Sequence, residues 1–413
     1  MRSLVALVCV GLLVVACGGS TSRSTPGDKL YVATSAINSQ ELQVVDSRTH
    51  GVEHRLPMGV PSSDWKHLYS IVSTSIVDTN PETGATLATL QIGQSYRFPD
   101  ATAGGIPGGI SPNGGWLVVE SFDAPGNDPP TATHFLVIDA PAMKIARRID
   151  LPGFFNFDAI SNDGKRLYLI QMIDGKSYYV RWYDLATGRL DPAIVFDKNE
   201  GGNAMTGLRI SAVASADGNW QFGMYVRERA NPFIHALSLH DPIAFCLDLQ
   251  GNGYSQDGAA MQWAVALSPD GSTVYAANLG TGDLARIGMS NGLPQVLQRS
   301  HVAQALSTGG LIKNVDAKEL GGNSAVVSAD GHTLIAASSS GVFWIDTEKL
   351  AIQRRALDDW RIWSVGLSPD GKSVYAVSDG GKIAQLAMST AAVVTTFDLA
   401  GGQPLALMRV AAA

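Results

Sequence analysis

The 413-residue sequence predicts an all-β chain forming a single β-propeller of four-stranded blades, and three observations lead there. The first is a Ser-x-Asp/Asn-Gly turn that recurs as Ser111-Pro-Asn-Gly114, Ser161-Asn-Asp-Gly164, Ser215-Ala-Asp-Gly218, Ser268-Pro-Asp-Gly271, Ser328-Ala-Asp-Gly331 and Ser368-Pro-Asp-Gly371. The second is that each copy joins two short apolar runs, as Trp263–Leu267 and Thr273–Ala277 flank one of them, so each turn marks one hairpin of a repeated unit. The third is at the termini. Thr25-Pro-Gly-Asp-Lys-Leu-Tyr-Val32 reads as a turn and second strand without an inner strand, and Pro404-Leu-Ala-Leu-Met-Arg-Val410 as an inner strand with nothing after it. Sharing one blade between the two ends closes the ring and removes its open edges.

The spacing from turn to turn accommodates four strands per unit, and the sixth blade shows the plan. Its strands are expected at Gln262–Leu267, Thr273–Ala277, Asp283–Gly288 and Gln295–Gln298. The shared blade, a degenerate unit at Ser62-Ser-Asp-Trp-Lys66 and the six clear turns make eight blades. Seven is the alternative, because the degenerate unit leaves little room for an inner strand. A second turn signal, Asp46-Ser-Arg-Thr-His-Gly51, Asp78-Thr-Asn-Pro-Glu-Thr-Gly84 and Asp184-Leu-Ala-Thr-Gly188, with the Gly-less variant Asp346-Thr-Glu-Lys-Leu350, ends one strand and opens the next. Asp side chains cap such turns and Gly supplies the positive φ, so these acids are assigned to turn chemistry and not to catalysis.

The stretches Leu267-Ser-Pro-Asp-Gly-Ser-Thr-Val-Tyr-Ala-Ala-Asn278 and Leu367-Ser-Pro-Asp-Gly-Lys-Ser-Val-Tyr-Ala-Val377 resemble YVTN-type propeller repeats and are similar to the TolB-like repeat. The resemblance spans nearly the whole chain after the leader. It implies the propeller fold and leaves function open, since such propellers include scaffolds, ligand binders, lactonases and cofactor enzymes.

The N-terminus supplies an address. Arg2 precedes the apolar stretch Leu4–Val15, which is short for a membrane span and ends in Val14-Val15-Ala16-Cys17. This resembles a bacterial lipobox, which implies that residues 1–16 are a signal peptide, that Cys17 is lipidated, and that the protein is held on a membrane facing outside the cytoplasm. Residues 17–27 then form a flexible Gly/Ser/Thr tether, and residues 28–413 the propeller.

Composition narrows the function classes. Lysine and arginine number 30 against 37 acidic residues, and without the leader's Arg2 the formal charge is −8, which argues against a nucleic-acid partner. Of the three cysteines, Cys9 lies in the leader and Cys17 at the lipidation site, which leaves Cys246 with no disulfide partner and a buried structural role in Ile243-Ala-Phe-Cys-Leu247. A closed ring has no need of a second copy, so a monomer is expected.

A search for chemistry yields no catalytic constellation, no cofactor and no metal site. There is no Gly-x-Ser-x-Gly elbow, Walker loop or Cys-x-x-Cys-His segment. Asp248-Leu-Gln-Gly-Asn-Gly253 has oxygen ligands at alternate positions like a calcium loop, but Ala259 stands where the twelfth-position acid belongs. The pairs His50/His54 and His235/His240 have no further local ligand, so a zinc site would have to be assembled by the fold.

The candidate contact surface is the channel mouth. Trp263 and Trp363 both lie five residues before a repeat serine, and the second sits in Asp358-Asp359-Trp360-Arg361-Ile-Trp363. Two acids, a guanidinium and indoles in so short a run suit a sugar-like or planar ligand or a protein partner. Phe154-Phe-Asn-Phe157 enters the fourth blade at a similar place, and two insertions, Phe122–Thr133 and Ser300–Gly322, interrupt the repeat. The sequence thus points to a membrane-tethered module that binds an envelope protein, a glycan or a small ligand, with an extracytoplasmic lactonase-like hydrolase as the alternative. An enzyme should show convergent polar side chains in a deep pocket, a binder a broad aromatic surface.

Overall fold

The computed structural model describes residues 27–36, 39–93, 96–103, 105–124, 128–199, 201–254, 258–302 and 324–413. The leader, Cys17 and the tether up to Pro26 lie outside these residues, as does most of the Ser300–Gly322 insertion. The chain forms eight antiparallel sheets in sequence order, an eight-bladed propeller, so the seven-blade alternative falls away. The degenerate unit does make an inner strand, only three residues long, Gly59–Pro61.

Ring closure is as the termini imply. Gln403–Ala412 is the inner strand of blade one and pairs antiparallel with Asp28–Ala36, with Leu30 opposite Val410 and Tyr31 opposite Arg409. The Tyr375 hydroxyl of blade eight donates to Asp28 Oδ2 at 2.7 Å across the junction. The core is divided among the blade junctions. Strands present apolar residues on both faces, and each of eight buried clusters joins one blade to the next, from Leu30, Val32 and Val45 against Tyr375 and Val377 at the closing junction to Ile210, Met224 and Ile234 against Trp263 and Val274 between blades five and six. No blade buries its faces alone, which ties the fold to completion of the circle.

The recurrent turn has one wiring throughout. Ser268 Oγ donates to Asp270 Oδ1 at 2.6 Å and accepts from the Thr273 backbone N–H at 2.9 Å, while Asp270 Oδ1 accepts from Ser272 N at 3.1 Å. Gly271 adopts φ of 70°, and a Cβ there would stand 2.1 Å from the Ala216 Cβ of the preceding blade's turn. The glycine is therefore required twice, by backbone conformation and by the nesting of neighbouring turns. Ser62, Asp64 and Trp65 make the same turn in blade two, with Trp65 at φ of 58° in the glycine position. That left-handed conformation costs a bulky residue about 1–2 kcal/mol, and the indole offsets it by packing on Tyr31 at 5.2 Å and beneath the Arg409 guanidinium at 5.3 Å.

The Asp-capped turns hold with one adjustment. Asp46, Asp184 and Asp346 each accept two backbone N–H groups through Oδ1. In the Asp78–Gly84 segment the cap is Asn80, which accepts from Glu82 N and Thr83 N, and Asp78 is buried against His67 Nδ1 at 2.8 Å.

Blades six to eight keep four strands each. In blade six they are Trp263–Leu267, Thr273–Asn278, Asp283–Ser290 and Leu293–His301. Blades three to five depart from the plan. The inner position of blade three is filled by two isolated bridges onto the strand Trp116–Asp123, Ile110 to Leu117 and Arg97 to Glu120. Between them the chain leaves the sheet as a hairpin closed by the Asp100–Pro107 bridge. This excursion reaches blade five, where Ala103 N donates to Ile210 O at 3.0 Å, and Gly105 comes beside Gln40 of blade one. It therefore runs across the inner strands at the channel. Blade five carries a fifth strand, the two residues Phe196–Asp197, parallel to Ile243–Asp248.

Candidate functional site

A cleft of about 820 Å³ opens at the end of the ring where the inner strands begin, between blades three, four and five. Glu120 lines it, and a second buried carboxylate, Asp158, stands behind the lining residue Arg209. Glu120 is 2% exposed; its Oε1 pairs with Arg97 Nη2 at 3.1 Å and its Oε2 accepts from Phe157 N at 3.2 Å. Arg97 stands there because its bridge to Glu120 is the contact with the sheet from which the chain departs on the blade-three excursion. Burial raises the Glu120 carboxyl above the usual glutamate range, against the opposing pull of the Phe157 N–H and Arg97.

Asp158 sits in a β-bulge of the inner strand Phe155–Ile160, where the register slips between Phe157 and Ala159. The bulge turns its side chain toward Arg209, whose Nη1 donates to Oδ1 at 2.8 Å, with Gln221 Nε2 donating to the same oxygen at 3.1 Å. Arg209 Nη2 also donates to the Asp100 carbonyl at 3.0 Å, which fastens the channel-crossing hairpin to the site. Burial alone would lower the Arg209 guanidinium, but Tyr225, Asp158, Tyr178 and Glu120 around it raise it, so it stays charged. Asp158 Oδ2 is buried without a hydrogen-bond partner.

Two tyrosines form the wall. Tyr178 and Tyr225 are 3% and 2% exposed, stack at 6.3 Å, and carry hydroxyls with no hydrogen-bond partner. Burial pushes both hydroxyls far up, so they are neutral and able to donate. At the rim stand Lys176, Arg227, Glu228, Arg229 and Tyr254, with Lys176 Nζ 3.3 Å from Glu228. Five cationic and three anionic side chains line the cleft, a positive excess in a chain of formal charge −7. The local field thus favours an anionic ligand over a cationic one.

Behind Tyr225 lies a second polar group. The His235 ring meets the Tyr225 ring edge-on at 5.9 Å, and Asp197, His235 and Cys246 gather in blade five with one donor atom of each within 4.8 Å of the others. Desolvation lowers the His235 imidazole, only partly opposed by Asp158 and Asp197, so the ring is neutral near pH 7.

The residues singled out from the sequence lie elsewhere. Trp263 is 1% exposed and packs into the core between blades five and six. The equal spacing of Trp263 and Trp363 from their serines does not make them equivalent. Trp263 pairs with Asn278, but in blade eight Ile362 pairs with Ser378 and the register slips before Ser364, so Trp363 falls on a bulge and stays half-buried. Trp360 packs on the blade-eight core with Lys382 Nζ 5.8 Å above its ring. Asp358 pairs with Arg355 at 3.0 Å, Arg361 with Asp379 at 3.5 Å, and Asp359 is exposed. This loop leads into an inner strand, as the cleft residues do, but in blade eight, across the ring from blade four. The Phe154–Phe157 run comes closer, since Asn156 and Phe157 line the cleft. Arg97, Glu120, Asp158 and Arg209 were missed; the signal available was a charged residue inside an apolar strand, as in Leu117-Val-Val-Glu120.

No family model matches the chain, and no curated protein matches it. Its similarity to solved structures is one of fold. Dihydro-heme d1 dehydrogenase NirN in complex with DHE superposes with a TM-score of 0.55 at 14% identity, covering 91% of this chain and 74% of that one. Periplasmic gluconolactonase PpgL of Pseudomonas aeruginosa gives 0.45 at 15% identity over 93% and 99% of the two chains. Hydrazine synthase of Kuenenia stuttgartiensis gives 0.42 at 15% identity over 83% and 99%. Among the described residues no helix is long and apolar enough to cross a membrane.

Proposed function

We propose that this protein is a lipid-anchored propeller, facing outside the cytoplasm, that binds a small anionic, hydroxyl-bearing molecule in the cleft between blades three and five. The observation that carries the reading is convergence. Two arginines held in place by buried carboxylates, and two buried tyrosyl hydroxyls without partners, meet at one cleft. Such groups give directional recognition of a carboxylate and its neighbouring hydroxyls. The anchor rests on the lipobox-like segment ending at Cys17.

The test is a panel of sugar acids and other small carboxylates measured by titration calorimetry against the parent, Arg97→Met and Tyr225→Phe. A member of the panel should bind the parent and lose about tenfold or more in affinity in either variant, in line with about 1.4 kcal/mol for one lost charged or buried hydrogen bond. Equal binding by all three would sink the assignment. For the anchor, Cys17→Ser should move the protein from the membrane fraction to the soluble fraction.

A hydrolytic reading draws on Glu120, an acid with a raised pKa at the floor of the same cleft. Lactone hydrolysis by the parent, abolished in Glu120→Gln while ligand binding persists, would favour it.

A further inference from the structure

We infer that blade five carries a structural zinc site made by Asp197, His235 and Cys246. The three residues come from three adjacent strands. His235 and Cys246 are direct partners across the antiparallel pair Phe233–Ser238 and Ile243–Asp248. The two-residue strand Phe196–Asp197 runs parallel to the latter with Asp197 opposite Ala244, two residues from Cys246 and therefore on the same face. Strand geometry thus directs all three side chains into one space between blades four and five, where each is 3–4% exposed.

The donor set has the chemistry of a borderline-soft divalent ion. A carboxylate oxygen, an imidazole nitrogen and a thiolate sulfur together suit zinc better than calcium or magnesium, which take oxygen alone. The three donors already lie within 4.8 Å of one another. Zinc bonds of about 2.0–2.3 Å at tetrahedral angles separate donors by about 3.3–3.7 Å, so the site closes with shifts of about 1 Å. The fourth position falls to a water molecule.

A separate observation points the same way. His235 Nε2 is buried and has no hydrogen-bond partner, an arrangement folded proteins rarely leave unanswered and which a metal ion satisfies. The surroundings hold the set in place. Asn199 N donates to Asp197 Oδ1 at 2.8 Å and Asn199 Nδ2 to the Cys246 carbonyl at 2.6 Å, tying the segment after Asp197 to the strand that bears the thiol. The ion would staple the two-residue strand to its sheet, and with it the connection from blade four that carries Met205 and Thr206 to the edge of Tyr178. Binding exchanges the Cys246 thiol proton for the metal, with the proton released to solvent and no change of oxidation state.

The test uses the full chain without a polyhistidine tag, treated with a chelator and titrated with Co²⁺ and then Zn²⁺. The parent should take up one Co²⁺ per chain with a sulfur-to-cobalt charge-transfer band and tetrahedral ligand-field absorption, both erased when Zn²⁺ displaces it. Cys246→Ser, which keeps Cys9 and Cys17, should lose the charge-transfer band, and Asp197→Asn should weaken Co²⁺ binding about tenfold or more. Absence of the band in the parent overturns the site, as does the same band in folded Cys246→Ser. Should that variant fail to fold, His235→Gln serves in its place and is read by affinity: Co²⁺ binding should weaken about tenfold or more, and unchanged binding overturns the site.

Discussion

In blades six to eight each inner strand is one contiguous run, Trp263–Leu267, Ala325–Val327 and Ile362–Leu367, the last with a bulge at Trp363 that places no acid, and the buried acid Asp283 stands beside a turn, 2.9 Å from His301. In blades three to five the inner position is broken by an excursion or bent by a bulge, and Glu120, Asp158, Asp197 and His235 are buried within the sheets themselves. Both halves use the same turn, with Ser161 and Ser215 wired as Ser268 is. The repeat builds the ring, and departures from it build the site. A bulge re-aims one side chain, an interrupted strand leaves Arg97 on the sheet beside Glu120, and an added edge strand brings Asp197 beside Cys246.

Breaking one partner of a buried ion pair in the irregular half should have the largest effect. Arg209→Met leaves the Asp158 carboxyl buried without its guanidinium partner, and urea unfolding should report a loss of about 3–5 kcal/mol. Adding Asp158→Asn to that variant should restore much of it; a single variant as stable as the parent would show that the pair is solvated and the comparison between halves overdrawn. In the regular half Ser268→Ala removes a donor and an acceptor from one turn, for a loss of about 1–2 kcal/mol in the same assay. A similar loss from Ser161→Ala would sharpen the point that the turns are common to both halves.

The smallest effects are in pH dependence. The hydrogen bond from each turn serine, with backbone N–H support, holds Asp64, Asp217, Asp270, Asp330 and Asp370 below the usual aspartate value, Asp64 down to about 2. Their contribution to stability is present above pH of about 4 and lost as pH falls toward 2. In blade three the sign is reversed. His134 lies between Asp150 at 2.5 Å and Asp123 at 3.1 Å, and those contacts raise it. Its contribution is complete below its unfolded value of about 6.5 and fades as pH rises through the higher folded value. Thermal midpoints from pH 2 to 9 should show both limbs, and His134→Asn should erase only the upper one.

The blade count, the shared closing blade and the turn chemistry were legible in the sequence because they depend on residues close together along the chain. Ser268, Asp270 and Gly271 meet within one turn, and the apolar alternation around them needs no distant partner. Blade two was legible even in degenerate form, since Ser62 and Asp64 keep the turn wiring that Trp65 strains. The cleft was not, because Arg97 meets Glu120 and Asp158 meets Arg209 only when separate blades stand side by side.

Trp363 shows the same limit in a single strand. Counting from Ser368 equates it with Trp263, and one bulge, invisible to counting, sends the two indoles to different environments. The sequence alone determined the repeat, the ring and the lipobox-like start, all read from local patterns. Tertiary structure alone decided which polar side chains face one another, because contacts among Asp197, His235 and Cys246 are set by strand register and added edges, which no spacing along the chain encodes.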